Sequence, residues 1–162
     1  AAETGHLVFS TIHTSDVASS INRLVSFFPT EEQLNVRARL ADNLKAIVSL
    51  RLLVNKKETG RVPAVEVMRS TRSIQECIRD PAKTTELTDY IARGREHGMQ
   101  TFDQHLLDLL RANKISMETA LAAASNPADF QTKLSLEGHE EAEGSEAEKP
   151  LAAVEIESDG RF

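Results

Sequence analysis

Leu7-Val8-Phe9-Ser10-Thr11-Ile12-His13-Thr14-Ser15-Asp16-Val17 decides how this chain is read. Residues 7–12 are mostly apolar and β-rich, bounded by Gly5-His6 and by Thr14-Ser15-Asp16, which predicts a strand covered on both faces in a parallel sheet. A helix is expected directly after it. Ser15 or Thr14 is placed to cap that helix, Asp16 suits its positive end, and Val17, Ile21, Leu24, Val25 and Phe28 stack on one face. Strand, tight turn and helix make half of a βαβ unit, so the expected class is α/β.

Upstream, Ala1-Ala2-Glu3-Thr4-Gly5 reads as the last turn of a helix with Gly5 in the left-handed position past its end. With no initial methionine, this predicts the C-terminal piece of a longer protein. Downstream, Pro29 separates the first helix from a second that opens at the capping-box pattern Thr30-Glu31-Glu32-Gln33 and buries Val36, Leu40, Leu44 and Ile47. Residues 50–54 and 62–68 read as strands, and the polar loop 55–60 with Gly60 joins them as a hairpin. From Thr71 the signal is helical. Ile74, Cys77 and Ile78 form a stripe that ends before Pro81, and Leu87, Tyr90 and Ile91 form another that stops at Gly94. Thr101-Phe102-Asp103-Gln104 is a second capping box, and Ser116 caps a last alanine-rich turn broken by Asn126-Pro127. Residues 137–162 are too polar to repay the entropy of ordering and are expected to be disordered, apart from an apolar interruption at 151–156.

Composition sets the outer limits. A chain of 162 residues with 40% apolar side chains suffices for one buried core. No run of about 18 apolar residues and no basic, apolar leader occurs, which predicts a soluble chain. The lone cysteine, Cys77, has no internal disulfide partner and belongs to no zinc or redox pair, consistent with a cytoplasmic setting. Residues 137–162 hold nine acids and two bases, net −7, which leaves 16 acids against 17 bases, net +1, in residues 1–136. A nearly neutral body with seven Phe and Tyr residues and no Trp carries no electrostatic footprint for nucleic acid.

Among the histidines, His6 and His13 would lie roughly 23 Å apart on a continuous strand at about 3.3 Å per residue. His97, His105 and His139 have no ligand-like spacing to one another or to Cys77, so no metal site is expected. His13 stands out because it falls at the carboxyl end of the expected strand, where open α/β sheets bind ligands. Thr11, Thr14 and Ser15 surround it with hydroxyls, and a helix start there would offer N–H groups to a phosphate. The plainer alternative is that His13 only ends a strand and Thr14 only caps a helix. No Gly-x-x-x-x-Gly-Lys-Ser/Thr and no Gly-x-Ser-x-Gly occurs, so the chain holds half of a phosphate site and no complete catalytic set.

The segment Ala2-Glu3-Thr4-Gly5-His6-Leu7-Val8-Phe9-Ser10-Thr11-Ile12-His13-Thr14 resembles the histidine box of the secretion-type hexameric ATPases, most closely the type IV pilus retraction ATPases of the PilT and PilU types. The resemblance continues through Phe27-Phe28-Pro29, Glu31-Glu32-Gln33, Asn43-Leu44-Lys45-Ala46-Ile47-Val48, Gly60-Arg61-Val62, Glu66-Val67-Met68 and Gly98-Met99-Gln100-Thr101-Phe102-Asp103-Gln104, nearly all of residues 1–136. It implies a motor that hydrolyses ATP with Mg2+ to power pilus retraction (twitching motility). The implied fold is the end of a RecA-like P-loop domain (1–70), a helical subdomain (71–136) and an acidic tail (137–162). The phosphate loop and the catalytic glutamate would lie upstream, so the chain alone is expected to be inactive. The implied partners are a homo-hexamer, the inner-membrane pilus platform approached from the cytoplasm, and a paralogous retraction ATPase.

Residue by residue, His13 corresponds to the box histidine that faces the terminal phosphate, with Thr11 and Thr14 beside it at the nucleotide. Gly5 and His6 take structural or interface roles. Within the family, extension and secretion ATPases resemble one another in carrying a four-cysteine zinc element near the segment after residues 50–54. Residues 55–60 here have no cysteine, which favours the retraction branch, with a secretion or pilus-extension ATPase as the alternative within the family. The retraction motif Ala-Ile-Arg-Asn-Leu-Ile-Arg-Glu aligns with Ser73-Ile74-Gln75-Glu76-Cys77-Ile78-Arg79-Asp80, with Gln75 in place of the first arginine. That departure, with Phe102 and the acidic tail, looks more like the accessory PilU type. A non-catalytic assembly or partner-binding module is the alternative from a different class.

Overall fold

The computed structural model describes the backbone of residues 1–146 and the side chains of residues 1–136. Residues 6–14, which contain the expected parallel strand 7–12, have no regular secondary structure, and Leu7 and Phe9 are 80% and 87% exposed. A strand exists only through hydrogen bonds to a neighbour. Among the described residues the only sheet is a two-stranded one formed elsewhere, so no βαβ half-unit is built.

Helix α1 (Val17–Val25) buries Val17, Ile21 and Val25, and its cap is Asp16 rather than Ser15 or Thr14. Phe28 lies past its end and is 42% exposed. The expected capping box at Thr30 does not form: Thr30–Glu32 is a 3-10 turn after Pro29, and Gln33 Nε2 instead donates to the Phe28 carbonyl at 3.1 Å. Helix α2 (Gln33–Asn43) therefore starts three residues late and ends before Leu44, and Ile47 belongs to a strand.

The hairpin forms as expected and extends beyond both expected strands. β1 (Ala46–Val54) pairs antiparallel with β2 (Arg61–Arg69), from Ala46 opposite Arg69 to Val54 opposite Arg61. Period-two alternation gives it two faces. Ser49, Ala64, Glu66 and Met68 are buried against the helices, while Val48, Leu50, Leu52 and Val54 stay exposed on the other side.

The helical region follows the expected punctuation. Thr71 caps α3 (Arg72–Arg79), Pro81 opens a 3-10 turn, and α4 (Leu87–Arg93) stops at Gly94. The capping box of α5 (Phe102–Arg111) is complete, with Gln104 N–H donating to Thr101 Oγ1 at 3.2 Å and Thr101 N–H to Gln104 Oε1 at 3.0 Å. Ser116 caps α6 (Met117–Ala123). The break at Asn126-Pro127 starts a further helix, α7 (Pro127–Glu146), which runs ten residues past the expected onset of disorder. Its Glu and Ala content favours helix even where little apolar surface is available. Residues 147–162, including 151–156, lie outside the described residues. No described helix is long and apolar enough to cross a membrane.

Two cores result. The first joins Val17, Ile21 and Met68 to Ile74, Cys77, Ile78 and Ile91, and so crosses position 70. The second packs Phe102, Leu106, Ile115 and Phe130 under the far end of the hairpin. Full burial of each such aliphatic side chain contributes about 1.5–3 kcal/mol.

Candidate functional site

Thr11, His13 and Ser15 are exposed on the irregular segment that leads into α1. This corrects the basis on which His13 was singled out: it is not a strand end but a loop residue, and the 23 Å separation from His6 loses its strand. His6 is nonetheless in a different setting. Gly5 takes the expected left-handed conformation at φ 86° after the 3-10 turn Ala2–Thr4, and His6 Nδ1 lies 2.9 Å from Thr4 Oγ1 and 3.2 Å from the Ala1 carbonyl. Glu3 is paired with Arg39 of α2, which holds its carboxyl below the usual range.

The start of α1 is already occupied. Asp16 Oδ1 accepts the Ser19 amide at 2.8 Å, and Glu66 Oε2, from β2, accepts the Val17 amide at 2.8 Å. Two of the free N–H groups of the first turn therefore face carboxylates. A phosphate on that terminus would meet two acids, so the helix end is not the anion site that the sequence predicts. Thr14 Oγ1 lies 2.6 Å from Ser20 Oγ, on the helix, and Thr14 is half-buried. Thr11 and His13 are left facing outward, with the His13 imidazole able to donate or accept.

Burial pushes the Glu66 carboxyl up, Asp16 and Asp103 add to this, and the Val17 amide and Arg51 oppose it. Burial also pushes Asp16 up, but the hydroxyls of Ser15 and Ser19 and the Ser19 amide outweigh it, leaving that carboxyl below its usual value. Arg51 of β1 lies beside this pair. Its guanidinium stacks over Phe102 at 3.9 Å, Nη1 donates to the Ala123 carbonyl at 3.1 Å and Nη2 to the Ser15 carbonyl at 3.2 Å. Sequence reasoning missed Glu66 and Arg51. The available signal was their period: both are charged residues at core-facing positions of a half-buried hairpin.

Ser73 to Asp80 lie on α3 and its end. Ile74, Cys77 and Ile78 are buried, and burial raises the Cys77 thiol. Outward, Gln75 Nε2 donates to Ser70 Oγ at 3.2 Å, Glu76 pairs with Arg72 at 3.6 Å, Arg79 pairs with Asp42 of α2, and Asp80 caps the next turn through the Ala82 amide; Ser73 is exposed. Among the described residues no three His, Cys, Asp or Glu side chains converge on a point that could hold a metal.

Residues 1–122 match the family described as type II/IV secretion system protein. The chain is 42% identical over 130 residues to the type IV pilus retraction ATPase PilT of Pseudomonas aeruginosa, covering 80% of this chain and 37% of that protein. To the type IV pilus ATPase PilU of the same organism it is 34% identical over 158 residues, covering 98% and 41%. The crystal structure of the pilus retraction motor PilT with bound ADP superposes with a TM-score of 0.69 at 34% identity, covering 80% of this chain and 36% of that one. The chain thus spans well under half the length of these relatives.

Proposed function

The chain belongs to the type II/IV secretion system protein family, and from that premise we propose that it is the C-terminal portion of a hexameric ATPase that powers type IV pilus retraction. Residues 1–70 close a RecA-like P-loop domain, and residues 71–136 form the helical subdomain behind it. His13 is the catalytic residue, donating a hydrogen bond to the terminal phosphate as negative charge develops there. Thr11 and Thr14 contact the nucleotide around it, and Gly5 and His6 hold the start of the segment. The phosphate loop, its lysine and the catalytic glutamate come from outside these 162 residues, because no Gly-x-x-x-x-Gly-Lys-Ser/Thr occurs within them. ATP enters with Mg2+ in the whole protein.

The observation that carries this reading is the family match over residues 1–122, which brings His13 with it on an exposed loop directly ahead of α1. The retraction branch is favoured by the loop 55–60, closed by the Asn55 amide on the Gly60 carbonyl at 3.0 Å and containing no cysteine for a zinc element. In this reading the hexamer works at the cytoplasmic face of the inner-membrane pilus platform, alongside a paralogous retraction ATPase, and α3 presents the retraction motif.

The test is to express the whole reading frame that carries this chain and measure its mass in solution, its ATP turnover, and twitching in a strain lacking it. A hexamer with turnover and loss of retraction are the expected results. A protein that neither assembles nor hydrolyses ATP would sink the proposal.

A further inference from the structure

The loop that carries His13 has little to hold it. Residues 6–14 have no regular structure, and the Thr14–Ser20 and Ser15–Asp16 contacts fix it only to its own helix. Among the described residues, two hydrogen bonds tie residues 14–17 to another element, and both come from the hairpin: Glu66 takes the Val17 amide and Arg51 gives to the Ser15 carbonyl. The two side chains are diagonal neighbours, since Ser49 faces Glu66 and Arg51 faces Ala64 in the strand register.

We propose that Glu66 and Arg51 are positioning residues that fix the His13 loop over the hairpin at both sides of Asp16. This rests on the reading of His13 as the phosphate contact.

A helix cap alone would not need them. Asp16 already caps α1 locally, whereas Glu66 reaches the first amide from 49 residues away in the sequence, fixing the helix start to the sheet. Arg51 is held rigidly before it reaches the loop, by the Phe102 face and the Ala123 carbonyl. Its planar guanidinium serves a ring and two carbonyls at once, which a lysine ammonium does not. The placement of His13 is thereby tied to α5 and α6 as well. A donor that must meet developing phosphate charge is sensitive to displacements of about 1 Å.

The experiment uses the whole reading frame with Glu66→Leu, Glu66→Gln, Arg51→Met and Arg51→Lys, each checked for assembly. Glu66→Leu and Arg51→Met are expected to lower kcat about 10-fold or more with KM for ATP within about twofold, the split expected of lost orientation. Glu66→Gln recovers most of that loss, because its amide oxygen still accepts the Val17 N–H. Arg51→Lys does not recover it, and it carries the test if the larger changes prevent folding. An assembled Arg51→Lys or Glu66→Leu hexamer with wild-type kcat overturns the proposal, as does a Glu66→Gln variant no better than Glu66→Leu.

A second readout needs no turnover. In the 162-residue chain, Glu66→Leu should speed hydrogen exchange of the Val17 amide and shift the His13 ring resonances, while Glu66→Gln leaves both near wild type. Unchanged exchange and resonances overturn the positioning role. If these move but the wild-type full protein hydrolyses no ATP, the nucleotide reading fails and the loop clamp stands.

Discussion

Arg37 of α2 donates from Nη1 to the carbonyl of Ile78 at the end of α3, 41 residues on, at 3.2 Å. The same guanidinium reaches Thr84 Oγ1 at 3.2 Å and Asn22 Oδ1 at 2.8 Å, so a single side chain, 7% exposed, joins α1, α2, α3 and the turn beyond it. Burial lowers its hold on the proton, and Asp80 partly offsets this. Arg37→Met leaves the buried acceptors of Ile78 and Thr84 without this donor, along with the exposed Asn22 Oδ1. A loss of about 2–4 kcal/mol is expected from chemical denaturation, with Arg37→Lys recovering part of it. A change below about 0.5 kcal/mol, the scale of an ordinary surface substitution, would show that the acceptors find water instead.

Glu66 gives the stability a pH signature. Its carboxyl is raised in the folded chain, mainly by burial, so the folded state holds the proton more tightly than the unfolded one. The stability this contributes is present below the unfolded value of about 4.3 and is lost as the pH climbs through the raised folded value. Asp16 acts oppositely, since its lowered carboxyl contributes stability that is lost only as the pH falls below the usual carboxylate range. Subtracting the unfolding free energy of Glu66→Gln from that of wild type across pH 4 to 8 isolates the first effect. The difference should decline with rising pH, and a flat or rising one would show that the Val17 hydrogen bond outweighs burial.

The hairpin is legible in the sequence because residues 50–54 and 62–68 alternate or run apolar between polar punctuation, and its partner strand is close in the chain. Residues 7–12 look equally strand-like, yet a strand's identity depends on a neighbour that no local pattern supplies, and Phe9 is exposed. Thr101 and Thr30 show the same limit in caps. Thr101 is itself extended, at φ −83° and ψ 164°, and closes its box, whereas Thr30 lies inside a 3-10 turn after Pro29, which removes the cap geometry. At the site, His13 is visible from the sequence, but the acids that occupy the helix start are split between Asp16 and Glu66. Only the fold brings those two together.

Phe130 anchors α7. It is fully buried in the second core, while Leu136, six residues on, is 62% exposed. Phe130→Ala should cost about 3–5 kcal/mol, the range for removing a core aromatic, and Leu136→Ser should stay within about 0.5 kcal/mol. Equal, small effects on the melting temperature would mean that α7 contributes nothing to the core.

The isolated 162 residues should show no ATP turnover above buffer and only weak nucleotide binding. The loop that cradles phosphates and its lysine do not occur in the sequence, and the start of α1 meets a phosphate with two carboxylates. Titration with ATP and with ADP, followed by fluorescence or calorimetry, measures this directly. Tight binding by the chain alone would require a phosphate site that uses neither a P-loop nor the α1 terminus.

His13 is the proposed phosphate contact. Its ring is exposed and Thr11 beside it is exposed too, while Thr14 is engaged with Ser20, so the imidazole is the group on this loop best placed to meet a phosphate. In the whole reading frame, His13→Ala should lower turnover by about 10²-fold, the scale for one lost positioned donor. Nucleotide affinity should fall much less, because in the proposed whole protein the polyphosphate is held by the phosphate loop and its lysine. His6→Ala removes a ring that contacts Thr4 and the Ala1 carbonyl, and it should act through folding or assembly while leaving turnover per assembled hexamer near wild type. Steady-state hydrolysis, nucleotide titration and hexamer mass for both variants separate the two roles. Wild-type turnover in an assembled His13→Ala hexamer would reduce His13 to an ordinary loop residue, and equal losses in both variants would place the effect in the fold of residues 1–16 rather than in phosphate chemistry.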